Sequence, residues 1–261
     1  MTTLQFLTSA WTWNLAALVS SGIALAAYLW AFGVIRRIVY LLAGLGVFVF
    51  TLSSPLNALA AGYLFSAHML QHILLLLIVP ALLLMSLPRC VSLGPRSWLI
   101  SNPFIGWIAG VGAMWLWHAR PLCNAAVSSQ LVNALQICSL LLLGTIFWRQ
   151  ILAPHEEERL SPPGAVLYLF SACVACSVLG ILITFSPVSV CPIYGQATAD
   201  RLGILNLIQS NWGITPEKDQ QIGGLLMWVP MCLVYLSAIV AQLARWFAHP
   251  VASPPVTGKP L

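Results

Sequence analysis

Residues 66–88 read SAHMLQHILLLLIVPALLLMSLP, a run apolar enough to cross a bilayer that still carries two of the chain's five histidines near its start. Residues four apart share one helix face, so a helix here stacks His68 and His72 about one turn from each other. Met69 stands beside them, roughly 60° around the helix from His72. Imidazoles at the head of a membrane helix are costly unless partnered, which makes the pair a functional-site candidate. The same spacing is a two-ligand geometry for a soft or borderline transition metal. The competing reading is that both rings bond to neighbouring helices or to interfacial water.

The rest of the chain agrees with a membrane setting. Of its 261 residues, 60% are hydrophobic and only 7% are charged, against about 25% charged in a soluble domain. The apolar runs last about 20 residues and do not alternate over 10, which predicts an all-α polytopic bundle and not a β-barrel. About seven transmembrane helices fit. They are expected at residues 11–35, 38–53, 64–87, 104–118, 131–148, 164–185 and 222–245. All belong to one domain over residues 1–248, followed by a tail at 249–261. The fourth span is short and open to a tilted or re-entrant reading, and its Gly106 and Gly110 predict close approach by a neighbouring helix. The connection at 186–220 is far above ordinary loop length, and its residues 199–210 are apolar enough to form a lid over the third, fourth and seventh spans. No Lys or Arg precedes the first apolar run, so that run is expected to be retained as a span.

Lys and Arg mark the cytoplasmic side of membrane proteins. With the N-terminus outside, the inner segments hold Arg36, Arg37, Arg89, Arg96, Arg149, Arg159, Arg245 and Lys259, and the outer ones only Arg120, Arg201 and Lys218. N-out and C-in is therefore expected, which suits a bacterial cytoplasmic membrane. The basic residues are dispersed and leave no nucleic-acid patch.

This orientation brings the polar residues of three distant spans to one side. His68 and His72 fall in the outer half of the third span, His118 ends the fourth with Met114 one turn deeper, and Asp219 opens the seventh with Met227 two turns below. His72 and Met227 each lie roughly 12 Å below their helix mouths. Imidazole and thioether together favour Cu(I), and a carboxylate near the mouth suits Cu(II) or a transient intermediate. Against this stand the ordinary roles: methionine as core filler, His118 beside Trp117 as an interfacial anchor, and Asp219 as an N-cap. Cys173 and Cys176 fall mid-span in SACVACSV and read as packing residues, whereas Cys123 and Cys191 are both expected outside, to pair or to capture copper.

At these residues the chain resembles the CtaG-type cytochrome c oxidase assembly factors, multi-span bacterial membrane proteins. The matching segments are His68-Met69-x2-His72 with Pro80 and Pro88 downstream, Trp117-His118 followed by Pro121 and Asn124, and Asp219-Gln220-x2-Gly223 running into Met227-Trp228. The chain departs from that pattern at Ile73, where a second methionine is frequent, and at Cys191, where an aromatic precedes Pro192. The resemblance implies a non-enzymatic role in producing active oxidase, and that His68, His72, His118 and Asp219 matter. Its partners would be haem-copper oxidase subunits and a periplasmic copper chaperone. Two other readings stay open: a b-type cytochrome with haem between histidines of two helices, and a copper transporter, which would need a polar path through the inner halves of the spans. No nucleophile–base arrangement points to catalysis.

Overall fold

The computed structural model describes residues 2–92, 101–195, 200 and 202–248. The chain opens with a short helix, α1 (Thr3–Ser9), closed by a capping box in which Thr2 and Gln5 bond each other's backbone amides. Then follow α2 (Leu15–Phe32), α3 (Ile38–Ser53), α4 (Pro55–Ala60), α5 (Phe65–Ser86), α6 (Pro103–Trp117), α7 (Arg120–Ser128), α8 (Gln130–Leu152), α9 (Pro162–Phe185) and α10 (Pro216–Ala248). Five of these helices, α2, α5, α8, α9 and α10, are long and apolar enough to cross a membrane, and α3 and α6 are shorter apolar helices. Their outward faces carry exposed Leu15, Trp30, Phe104, Leu131, Leu167 and Phe247, more apolar surface than water tolerates on a monomer.

Three helices were not expected: the short α4 follows the break at Ser54-Pro55, and two more lie outside the spans. α1 precedes the first span, and α7 follows α6 directly; with Arg120, Pro121 and Asn124 in its first turns, α7 is too polar for a search for apolar runs to find. α10 starts at Pro216, six residues before the expected Ile222, because Thr215 and a proline at the first helical position begin it amid the polar Glu217, Lys218 and Asp219. α5 is not a uniform α-helix: Leu74–Ile78 form a π turn just before Pro80, whose missing N–H the widened turn accommodates.

Close approach does occur where small residues predicted it. A Cβ added to Gly110 would sit 2.5 Å from Phe147 Cδ2, and one on Gly106 would sit 2.9 Å from Gln150 Cγ, so α6 lies tight on α8. α8 is in turn seated on the π turn: a Cβ on Gly144 would meet the Leu76 carbonyl oxygen at 2.3 Å. Between α9 and α10 the backbones nearly touch, with Gly224 facing Thr184 and the Gly180 carbonyl.

The bundle has two chemically different ends. At one, Arg37 donates to the carbonyls of Met85 (3.2 Å) and Leu87 (2.7 Å), Arg149 pairs with Glu158 (3.3 Å), and Arg159 and Arg245 flank Glu156. At the other lie the starts of α5 and α10, the end of α6, and α7. The connection between α9 and α10 covers part of this second end, though not as expected. Ile204, Leu207 and Ile208 are buried against Phe6, Ala60, Leu64 and Ala67, because the unexpected α1 and the start of α5 offer them an apolar seat. Ala199 and Arg201 of the expected lid, Arg96, and the tail at 249–261 lie outside the described residues.

Candidate metal centre

The site is built on the first turn of α5. Its N-cap residue is Leu64, which has no side chain able to cap. Asp219 does so from α10: Oδ2 accepts from the Phe65 amide (2.6 Å), and Oδ1 accepts from the Ser66 amide (3.0 Å) and the Ser66 hydroxyl (2.5 Å). A carboxylate at a helix N-terminus is stabilised both by these charge-assisted bonds and by the helix dipole. One turn further along α10, Gly223 leaves the room that Phe65 and Met69 fill; a Cβ there would lie 2.6 Å from the Phe65 ring. Cap and glycine together fix the height and rotation of α5 against α10, and with them His68, Met69 and His72.

The imidazoles meet in the interior. The His68 and His72 ring centroids are 4.5 Å apart and those of His72 and His118 are 5.2 Å apart. All three residues are buried. His118 closes α6 as its C-cap, and its Nδ1 bonds the Met114 carbonyl, while its Nε2 stands 2.9 Å from Met69 Sδ. An imidazole must carry a proton on Nδ1 to donate to a carbonyl, so the neutral ring presents a bare lone pair at Nε2. Thioether sulfur has no proton to give. His68 Nε2 and both nitrogens of His72 have no hydrogen-bond partner. Gln136 of α8 faces His72, is 2% exposed, and leaves its own Nε2 unpartnered.

A fourth aromatic ring roofs the cluster. Tyr194 stands 6.0 Å from His68 and 5.9 Å from Phe65, and its hydroxyl donates to the Ala60 carbonyl at 2.7 Å. It is held there by a disulfide between Cys123 of α7 and Cys191, and by the Ile193 amide donating to Asn124. The two cysteines expected on one side are thus paired. Cys173 and Cys176 do lie in helix packing, with Cys173 Sγ 3.2 Å from Cys232 Sγ across the α9–α10 seam.

The structure therefore brings together His68, His72, His118 and Met69. Met114 enters through its carbonyl, with its side chain fully buried in the core. The Asp219 carboxylate is occupied by the start of α5, and Met227 is packed into the core one turn below Gly223. Among the described residues, Met69 is the one methionine whose sulfur makes a polar contact with an imidazole. Among them no three His, Cys, Asp or Glu side chains are placed to hold one ion together, and the closest approach of two potential soft-metal ligands in the cluster is His118 Nε2 to Met69 Sδ. Sequence reasoning missed Gln136 and Tyr194; an amide within the apolar run ALQICSLLLL was a signal for the first, and nothing marked the second.

Comparison with known proteins gives distant relatives. The chain is 26% identical over 235 residues to an uncharacterized protein of Mycobacterium leprae, covering 81% of this chain and 34% of that protein. Uncharacterized proteins of Mycobacterium bovis and Mycobacterium tuberculosis are each 24% identical over 237 residues, with the same coverage. The chain spans about a third of the length of these curated relatives. No solved structure matches it. Residues 10–249, which include every helix from α2 to α10 and all the residues of the histidine cluster, match the cytochrome c oxidase caa3 assembly factor family (Caa3_CtaG), and the chain belongs to that family.

Proposed function

We propose that the protein is a non-enzymatic assembly factor of the bacterial cytoplasmic membrane that holds copper as cargo at its outer face and passes it to a haem-copper oxidase. About seven spans, N-out and C-in, carry the site. Family membership supports the oxidase connection. The copper reading rests on one observation above the others: His118 Nε2 and Met69 Sδ face each other at 2.9 Å, two lone-pair donors with no proton of their own to share. A soft cation satisfies both, and Cu(I) is the ion for which imidazole and thioether suit best. His68 and His72 have unpartnered nitrogens beside this pair, and a turn of either ring would be needed to add it as a further ligand. The close contact of the rings favours a bare ion over a porphyrin set between them.

Detergent-purified protein loaded with Cu(I) and washed is expected to retain about one copper per chain and to show no Soret band. Met69→Leu keeps the volume and should leave the fold intact, yet lower copper affinity at least tenfold. Copper retention unchanged in this variant, or a wild-type protein that carries haem or no metal, would overturn the reading.

A further inference from the structure

A second cleft lies at the histidine end. It encloses about 960 Å³ between the α3–α4 corner and the beginning of α8, and its walls include Asn14, Asn57, Ser129, Gln130, Asn133 and Ala134. Amides and hydroxyls dominate these polar positions, and among the described residues no charged side chain lines the cleft, although the Tyr63 hydroxyl in its wall bonds Asp200. A hydrated cation can exchange its water for such groups without being trapped by a carboxylate.

Two buried amides lie between the cleft wall and the histidines. On α8, Gln136 follows Asn133 by three residues, on the same face and about 4.5 Å deeper. It is buried, faces His72, and has an unpartnered amide nitrogen. On α5, Gln71 adjoins His72 in sequence and donates to Asn57 Oδ1 in the cleft wall (3.1 Å) and to the Thr51 carbonyl (2.9 Å). The Gln71 bonds fix one side of the floor, while the Gln136 amide nitrogen is held by nothing. The cleft between α6 and α9 does reach the cluster at His118, but past Trp115, Leu179, Leu182 and Phe185, an apolar route unsuited to a hydrated ion.

We propose that the amide-lined cleft is the aqueous antechamber of the histidine cluster and that Gln136 is its gate, turning aside to admit a soft or borderline transition-metal cation to His72. The identity of the cation rests on the function proposed above; the antechamber does not. When the gate is closed, an amide oxygen on Gln136 can accept from one His72 nitrogen and aim the other at the metal, as outer groups commonly do for imidazole ligands.

Two readouts separate these parts. Carbethoxylation of His72 by diethylpyrocarbonate, followed by mass spectrometry, reports access from water without any metal. The rate of Cu(I) loading reports access by the ion. Ala134→Trp narrows the cleft and should slow both at least tenfold, leaving the final copper stoichiometry unchanged. Leu182→Trp, in the α6–α9 cleft, should change neither. Gln136→Asn, one methylene shorter, should speed carbethoxylation of His72 severalfold. To guard against misfolding of the tryptophan variant, Asn133→Cys is folded first and then plugged with a bulky methanethiosulfonate, with wild-type protein treated identically. Unchanged carbethoxylation on plugging, or slowing by Leu182→Trp, would overturn the antechamber. Plug-sensitive carbethoxylation in a protein that binds no copper would uphold the antechamber and overturn the proposed function alone.

Discussion

Asp219 shows how a polar residue in a membrane helix can be essential without touching cargo. Its oxygens accept three hydrogen bonds from the first turn of α5, where Leu64 offers no cap of its own. Asp219→Ala strands those donors in a buried setting and should destabilise the protein by about 2 kcal/mol or more, seen as a lower melting temperature in detergent. Asp219→Asn keeps one acceptor and should fall between. A ligand role would give the opposite pattern, with copper lost and melting unchanged. The histidines were legible in the sequence because an imidazole in an apolar run stands out against its neighbours. The part played by Asp219 was legible only as a cap for its own helix, since a cap donated to another helix depends on packing. Gln136 and Tyr194 were missed for the same reason: what matters about each is the ring it faces, and that ring lies far off in sequence.

The helices themselves were readable to the extent that hydropathy defines them. The spans at 38–53, 104–118 and 164–185 agree with α3, α6 and α9 within two residues at each end. Polar turns escaped, as α7 and the first six residues of α10 show, because a proline in the first turn and not apolarity begins them. The π turn of α5 escaped too; Pro80 marked a disturbance, but its form is set by how α8 seats on the Leu76 carbonyl through Gly144. Small residues were the more reliable guide to contacts. Between α9 and α10, a methyl group on Gly224 would meet Thr184 Oγ1 at 2.3 Å and the Thr184 amide nitrogen at 2.7 Å, and part of that contact is backbone, which cannot rotate away. Gly224→Ala should therefore force the pair apart at a cost of about 1–3 kcal/mol. Because α10 carries Asp219, the strain reaches the α5 cap. The expected result is less monodisperse protein after extraction and a lower melting temperature, whereas Gly46→Ala, with nothing within 4 Å of the added carbon, should behave as wild type.

For the molecule as a whole, the question that decides whether copper can be delivered outside is which end faces which compartment. Two features of the bundle bear on it. Arg37, Arg149, Arg159 and Arg245 gather at the end opposite the histidines, while Arg120 and Lys218 stand near them. By the positive-inside rule, that asymmetry supports the proposed cytoplasmic setting of the arginine end. The Cys123–Cys191 disulfide is at the histidine end, and disulfides persist where the environment is oxidising, outside the cytoplasm. The second feature could not be read from sequence, because Cys123 and Cys191 are 68 residues apart and only the fold of the long connection brings them together. Both features support the proposed orientation, which a labelling experiment tests. In intact spheroplasts, a membrane-impermeant phosphine should reduce the disulfide and expose Cys123 and Cys191 to an impermeant maleimide, while Cys90, next to the arginine end, stays unlabelled until the membrane is opened. Labelling of Cys90 in sealed cells, with Cys123 and Cys191 protected, would reverse the molecule. It would also turn the histidine cluster towards the cytoplasm, and with it remove the basis for copper transfer at the outer face, however well the purified protein bound the metal.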